Sequence, residues 1–341
     1  MTEVSTIGLD IAKHVFQVHG VDAAGAVVIR SKLRRSDVLA FFERTEPCLV
    51  GIEACATAHY WARSLMALGH TVKLMPPTYV KPYVKRQKND AADAEAICEA
   101  VTRPTMRFVP VKGQEQQGVL VLHRTRDLLI RQRTMLINAL RGHLAEFGIV
   151  VRQGRAGVAT LVALVEDGEP GLIPAVARDA LLAVVDQLRD AHERIGVIER
   201  KIQAWHRSNE QSRRLETIPG IGPITASAIV ATITDVSLFS SGRELAAWIG
   251  LVPRQNSSGG KERLGHISKK GDPYIRRLLV IGAHSVLRFA RNGKASTTRW
   301  ATALLARKPY KLVAVALANK MARIVWALLT RNEEFRPRPA V

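Results

Sequence analysis

The sequence predicts an α/β domain on a mixed sheet, then a long helical segment, then a mostly helical third part. Three observations carry this. Short apolar β-rich runs alternate with helical patterns over the first hundred residues. The pattern turns helical beyond Pro104 and Pro110, which bracket a linker. A heptad-spaced apolar seam then runs from Leu181 to Trp205. The expected boundaries are 1–110, 111–210 and 211–341, and 341 residues suffice for two or three cores.

The first stretch, "STIGLDIAKHVFQVHGVDAAGAVVIRSKL", holds three β-rich runs divided by turn residues. A helical pattern starts near Ser36. "CLVGIEA" reads as a buried strand, "AHYWARSLMALG" as a helix stopped by glycine, and "HTVKLMP" as another strand. A long helical stretch is expected from Thr78. Strands followed by alternating helix and strand make a layered domain with a mixed sheet. Past the linker, "VLVLHRTRDLLIRQRTMLINALRGHLAEFG" is a basic helix with a blurred apolar face. The next helix is cleaner: Leu181, Val184, Leu188, Ala191, Ile195, Ile198, Ile202 and Trp205 step by threes and fours. Two readings stand for this pair, an ordinary bundle or an antiparallel coiled-coil arm that also joins subunits. Turn residues around Gly168–Pro174 separate the two helices. The third part, from Gln211, is helical with one conspicuous loop.

The formal net charge is +20, which points to an anionic polymer as partner, nucleic acid first. The excess is uneven. Residues 1–100 carry 12 Lys+Arg against 11 Asp+Glu, whereas residues 251–341 carry 19 against 4. Cys48, Cys55 and Cys98 suit neither a disulfide framework nor a zinc cluster. No charged-then-apolar leader opens the chain, and the apolar run "LVAVALANKMARIVWALL" is interrupted by Asn319, Lys320 and Arg323. A cytoplasmic protein with no membrane partner is expected, and that run is expected to be a buried amphipathic helix.

Four carboxylates form the first candidate site. Asp10 ends the first strand in "IGLDIAK", and Glu53 ends the fourth in "VGIEA". An acid closing a core strand is costly unless paired, solvated or metal-bound. Asp90 and Asp93 follow the basic run of "RQKNDAADAEAI" and share a helical face. Should that helix lie beside the first strand, all four converge as hard oxygen ligands for Mg²⁺ or Mn²⁺. Two such ions would stabilise both the attacking and the leaving oxygen of a phosphodiester. Taken singly, each acid reads first as a helix cap or a surface charge. Glu95 and Glu99 lie nearby but point off the Asp90/Asp93 face.

Two later motifs suit nucleic acid. In "IPGIGPITASAIVATI", Gly220 and Gly222 form the turn of a helix-hairpin-helix whose backbone N–H groups can approach phosphates. The plain reading is a helix–helix turn. In "GLVPRQNSSGGKERLGHISKKGDPYIRR", Ser257 and Ser258 lie in a loop with Arg254, Lys261, Arg263, Lys269 and Lys270. The loop is either a linker or the seat of a nucleophile, since a serine needs a base or metal to react. Arg276, Arg277, Arg288 and Arg291 extend this surface as phosphate contacts. Arg124, Arg126, Arg131, Arg133 and Arg141 on the basic helix read as nucleic-acid contacts or as a solvated face.

Together, "GLDIAK", "GIEA", "KNDAADA", "IPGIG" and "GLVPRQNSSGG" followed by "SKKGD" resemble the DEDD-type transposases of bacterial insertion sequences, also called bridge recombinases. The resemblance spans nearly the whole chain. It implies an RNase H-like catalytic domain related to Holliday-junction resolvases, a coiled-coil segment and a C-terminal transposase domain. It implies that Asp10, Glu53, Asp90 and Asp93 are the catalytic acids holding Mg²⁺. It implies a covalent phosphoserine at Ser258, with Ser257 adjacent. It further implies donor and target DNA, a structured non-coding guide RNA, and homo-oligomers up to tetramers whose active sites draw acids and serine from different subunits. The alternative reading is a hydrolytic, structure-specific nuclease that uses the acids and water alone. A third, a DNA-binding protein without catalysis, treats the acids as ion pairs.

Overall fold

A computed structural model describes residues 3–85, 89–169, 171–291 and 299–336. The basic run at 86–88 and the Arg291 side chain lie outside the described parts. The chain divides into two compact units, Met1–Glu115 and Gln116–Val341.

In the first unit, β1 (Thr6–Asp10), β2 (Val15–Val21) and β3 (Val27–Arg34) form an antiparallel meander. Then come α1 (Val38–Glu43), β4 (Leu49–Glu53), α2 (Ala58–Ala67), β5 (Thr71–Met75), α3 (Pro77–Val80) and α4 (Asp90–Val101). The sheet order is β3-β2-β1-β4-β5, with β4 and β5 parallel to β1. This mixed sheet is consistent with the RNase H-like expectation. The helix expected from Thr78 is broken: α3 runs into a 3₁₀ turn at Lys81–Tyr83, and α4 starts afresh at Asp90.

The two faces of β1 and β4 are chemically different, because alternate residues point to opposite sides. Ile7, Leu9, Val50 and Ile52 are fully buried in a core shared with Phe42, Trp61 and Leu65. The opposite face presents Gly8 and Gly51, directly paired across the two strands. Helix α4 lies on this glycine bed. A Cβ at Gly8 would fall 2.1 Å from the Ala94 carbonyl oxygen, and one at Gly51 would fall 2.8 Å from Val101 Cβ. Only glycine permits so close an approach of backbone to helix.

The second unit is helical: α5 (Gln114–Ala145, beginning at the boundary), α6 (Arg155–Asp167), α7 (Ala175–Ser208), α8 (Glu210–Glu216), α9 (Pro223–Thr232) and α10 (Gly242–Trp248). A two-stranded antiparallel ribbon of β6 (Pro253–Gln255) and β7 (Leu264–Ile267) follows, then α11 (Pro273–Arg291), α12 (Arg299–Leu305) and α13 (Tyr310–Arg331). Helix α6 is an addition to the two helices expected before Gln211. Its Leu161 and Val165 pack with Leu140 and Leu144 of α5 and Leu181 and Val185 of α7. The α7 seam is buried within the chain at Leu181, Leu188, Ala191, Ile195 and Ile202, with Val185 replacing Val184. A partner subunit is therefore not required to cover those five positions.

Helix α13 is long and apolar enough to cross a membrane by length and composition. Its Ala318, Met321, Val325, Leu328 and Leu329 instead join Ile229, Leu245 and Leu279 in the main core of this unit. A buried polar chain fastens α5 to that core. The Ser227 hydroxyl donates to the Pro223 carbonyl at 2.6 Å and lies 3.1 Å from His123 Nε2, while Nδ1 lies 3.1 Å from the Tyr274 hydroxyl. Burial, aided by Arg126, pushes the His123 pKa down to about 4.

Candidate active site

Asp10 leaves β1 at the end where β4 delivers Glu53. Leu9 is paired with Ile52, so the next residue on each strand exits at one edge. In a strand, residues two apart share a face, so Asp10 stands on the Gly8 side and Glu53 on the Gly51 side. That is the face covered by α4. The first turn of α4 holds Asp90 and Asp93, and its Asn89 cap accepts from the Ala92 N–H at 2.8 Å. Acids in a first helical turn are favoured by the helix dipole. The glycine bed fixes where that turn lands. Carboxylate oxygens of Asp10, Asp90 and Asp93 all lie within 4.8 Å of one another.

Glu53 is half-buried beside this trio and outside the 4.8 Å group. The Cys55 thiol registers both strand-end acids. Its pKa is raised chiefly by loss of solvation, then by the Glu53 and Asp10 carboxylates. Cys55 follows β4 in a tight turn that leads to Thr57, whose φ of 70° is left-handed. Glu95 and Glu99 are engaged elsewhere, both held by Lys85 at 3.3 Å. The trio supplies hard oxygen donors, and the ligand oxygens of one octahedral Mg²⁺ lie about 3–4 Å apart. The residues therefore fit a divalent cation of that class.

The serine segment is the loop of the β6–β7 ribbon. Gly259 and Gly260 have φ values of 57° and 75°, and the Lys261 N–H donates to the Ser258 carbonyl at 3.1 Å. Two successive left-handed residues make the tight hairpin turn that suits the strand twist. Every residue from Pro253 to His266 is exposed. Ser257 is tied into the ribbon, its Oγ accepting from the Arg263 N–H at 3.2 Å. Among the described residues the Ser258 hydroxyl has no such bond.

The basic residues divide into free and structural. Arg124, Lys261, Arg263, Lys269 and Lys270 are exposed, as is Arg288. Arg254 is exposed with a weak 3.5 Å contact to the Ser268 carbonyl, and Arg131 pairs loosely with Asp127 at 3.5 Å. Arg276 is structural: it donates to the Ile249 and Lys270 carbonyls at 2.7 and 2.8 Å, closing the end of α10 onto the loop. Arg126 grips Glu199 on α7 at 2.7 Å, and Arg141 donates to the Val151 and Arg152 carbonyls. Arg277 is bound to Asp127. Arg133 is half-buried on α5.

The Gly220–Gly222 turn is likewise divided. Gly220 has φ 89°, and a Cβ there would meet the Gly282 carbonyl oxygen of α11 at 2.8 Å. It is a packing contact. A Cβ at Gly222, which starts the buried helix α9, would meet nothing within 4 Å.

Gly8, Gly51 and Cys55 were not singled out from the sequence. A glycine two residues before each strand-end acid, in "GLD" and "GIE", is the signal that marks the helix bed.

The chain matches known proteins over nearly its whole length. A DEDD transposase profile of the IS110 type matches residues 7–149. A profile described as the transposase IS116/IS110/IS902 family matches residues 212–298. The chain is 53% identical over 335 residues to a "Probable family 20 transposase" of Pseudomonas aeruginosa, covering 98% of this chain and 99% of that protein. It is 41% identical over 337 residues to the "Transposase for insertion sequence element IS1111A" of Coxiella burnetii, covering 98% and 92%. It is 40% identical over 335 residues to the "Transposase for insertion sequence element IS1328" of Yersinia enterocolitica, covering 98% and 99%. With a mixed-sheet first unit, a helical second unit and relatives matched over 98% of its length, the chain belongs to the IS116/IS110/IS902 family of insertion-sequence transposases, enzymes that cut DNA and transfer its strands.

Proposed function

We propose that this transposase is an RNA-guided recombinase that cuts DNA at Asp10, Glu53, Asp90 and Asp93 and carries the cut strand on Ser258. The observation that carries this is the meeting of Asp10 with Asp90 and Asp93 inside 4.8 Å, from segments eighty residues apart. Three carboxylates so close repel one another, and a bound cation would offset that repulsion. Mg²⁺ or Mn²⁺ bound there would supply charge stabilisation to the attacking and leaving oxygens. Glu53 completes the set from the neighbouring strand.

Ser258 fits the nucleophile better than Ser257, because its hydroxyl is exposed and not tied into the ribbon. The Oγ–phosphorus bond forms as phosphorus separates from a deoxyribose oxygen. That oxygen gains a proton, and the serine loses one. Attack by a new deoxyribose hydroxyl reverses the exchange and joins strands without an external energy source. A hairpin loop this exposed is poor at activating its own serine. Activation therefore belongs to the acidic site the ribbon visits, in this reading that of another subunit in a dimer or tetramer.

DNA backbone contacts are assigned to Arg254, Lys261, Arg263, Lys269 and Lys270, and to the open Gly222 end of the helix-hairpin-helix turn. The guide RNA is assigned to the basic helix α5 through Arg124 and Arg131. No base-reading motif is evident in the sequence, which suits delegation of sequence to paired RNA. The test is a pair of variants in a strand-transfer assay with denaturing-gel detection of protein–DNA adducts. Ser258→Ala should lose adduct and transfer, and Asp93→Asn should lose cutting altogether. Continued cutting by Ser258→Ala with hydrolysed ends would instead assign the nuclease chemistry.

A further inference from the structure

The last three helices contain no acid. From Pro273 to Asn332 there are 12 Lys+Arg and no Asp or Glu. Soluble helical surfaces ordinarily intersperse the two signs. Below this charge lies a groove of about 1880 Å³ between α13, the start of α10 and the β6–β7 ribbon. Its floor is apolar, formed by Leu312, Val315 and Ile324. Leu312 is 51% exposed, and Trp300 at the groove is 41% exposed. The rim carries Arg243, Lys269, Lys311, Lys320, Arg323 and Arg331, and among the described residues no carboxylate lines it. Lys320 Nζ lies 4.6 Å over the Trp300 ring, a cation–π contact that covers one face of a side chain still 41% exposed.

We propose that this groove holds an unpaired stretch of nucleic acid, with bases laid on Trp300 and the apolar floor and phosphates along the cationic rim. The occupant must be flat and apolar on one side and uniformly negative on the other. A single strand has this character, since every base offers a π face and every linkage a charge. A duplex hides its base faces and would leave the floor exposed to water. A second copy of this chain, at +20, would bring like charge to the rim. The inference rests on the family's action on DNA but not on the carboxylate chemistry, and it gives α13 a binding role that the serine ribbon does not cover.

The test uses the full chain and short, mixed-sequence, fluorescent probes: single-stranded RNA, single-stranded DNA and a DNA duplex, followed by anisotropy. Trp300→Ala should weaken single-stranded binding about tenfold or more and leave the duplex unchanged. The double variant Lys320→Ala/Arg323→Ala, at exposed positions, should make the salt dependence shallower by about 1.4 in log–log slope. A loss confined to RNA or to DNA supports the groove and identifies its strand. An equal loss for single strand and duplex, or no loss with either variant, overturns it. A Trp300→Ala change in mass by light scattering without a change in affinity also overturns it, in favour of a protein partner. The binding assays are run with divalent cations chelated, so failure of the acidic site and failure of the groove are read separately.

Discussion

Gly8→Ala tests the placement of the acidic site without touching an acid. The added Cβ would lie 2.1 Å from the Ala94 carbonyl oxygen, 2.4 Å from the Cys98 nitrogen and 2.8 Å from Cys98 Cβ. Ordinary contact begins near 3.4 Å, so the obstructing atoms must retreat by about 1 Å. Two of them are helix backbone, so no rotamer change relieves the clash. Strand β1 is held between β2 and β4 and cannot yield. The whole of α4 must lift, carrying Asp90 and Asp93 away from Asp10. Overpacking of this kind costs about 1–3 kcal/mol. A displacement near 1 Å at reacting groups lowers rate about 100-fold. The assay is thermal unfolding with and without Mn²⁺, together with metal-dependent strand cleavage. Gly20→Ala is the control, since its Cβ would meet only side-chain atoms, the nearest at 3.1 Å. If Gly8→Ala melts like the wild type and cuts at the wild-type rate, α4 is not pinned by the glycine bed and the reasoning fails.

Acidification should loosen the second unit through His123. Its folded pKa of about 4 lies below the ordinary 6.5, so its stabilising share is complete above 6.5 and is lost as pH falls towards 4. Lowering pH from 7.5 to 5 should remove about 2 kcal/mol, measured by urea unfolding with tryptophan fluorescence. His123→Gln should flatten that dependence, and an unchanged slope would refute the assignment. Arg276→Ala should destabilise by about 1–3 kcal/mol, because it strands two carbonyls, yet leave DNA affinity nearly unchanged below its melting point. Lys261→Ala and Lys270→Ala should do the reverse, weakening binding and its salt dependence with little effect on melting.

The strand and helix order of the first unit was legible because its cues are local. Apolar alternation, stop residues and acids at strand ends are properties of short segments. The same holds for the α7 seam, whose spacing survives with Val185 in place of Val184. The arginines were less legible. Arg126, Arg141 and Arg276 look like Arg124 in sequence, yet each is bound to a distant carboxylate or carbonyl. Whether a guanidinium faces solvent or closes a helix end depends on what the chain brings to it. Gly220 shows the same point, being occupied by a glycine-to-glycine contact with α11 and not by a free turn alone.

Residue chemistry along the chain was enough to name the acids, the serine loop and the basic last quarter, since charge and periodicity are written one residue after another. Folding alone could bring Asp90 and Asp93 to Asp10. That meeting depends on two glycines, paired across β1 and β4, leaving room for a helix backbone. A contact made by the absence of side chains leaves little local trace, and it becomes visible when the sheet and the helix are seen together.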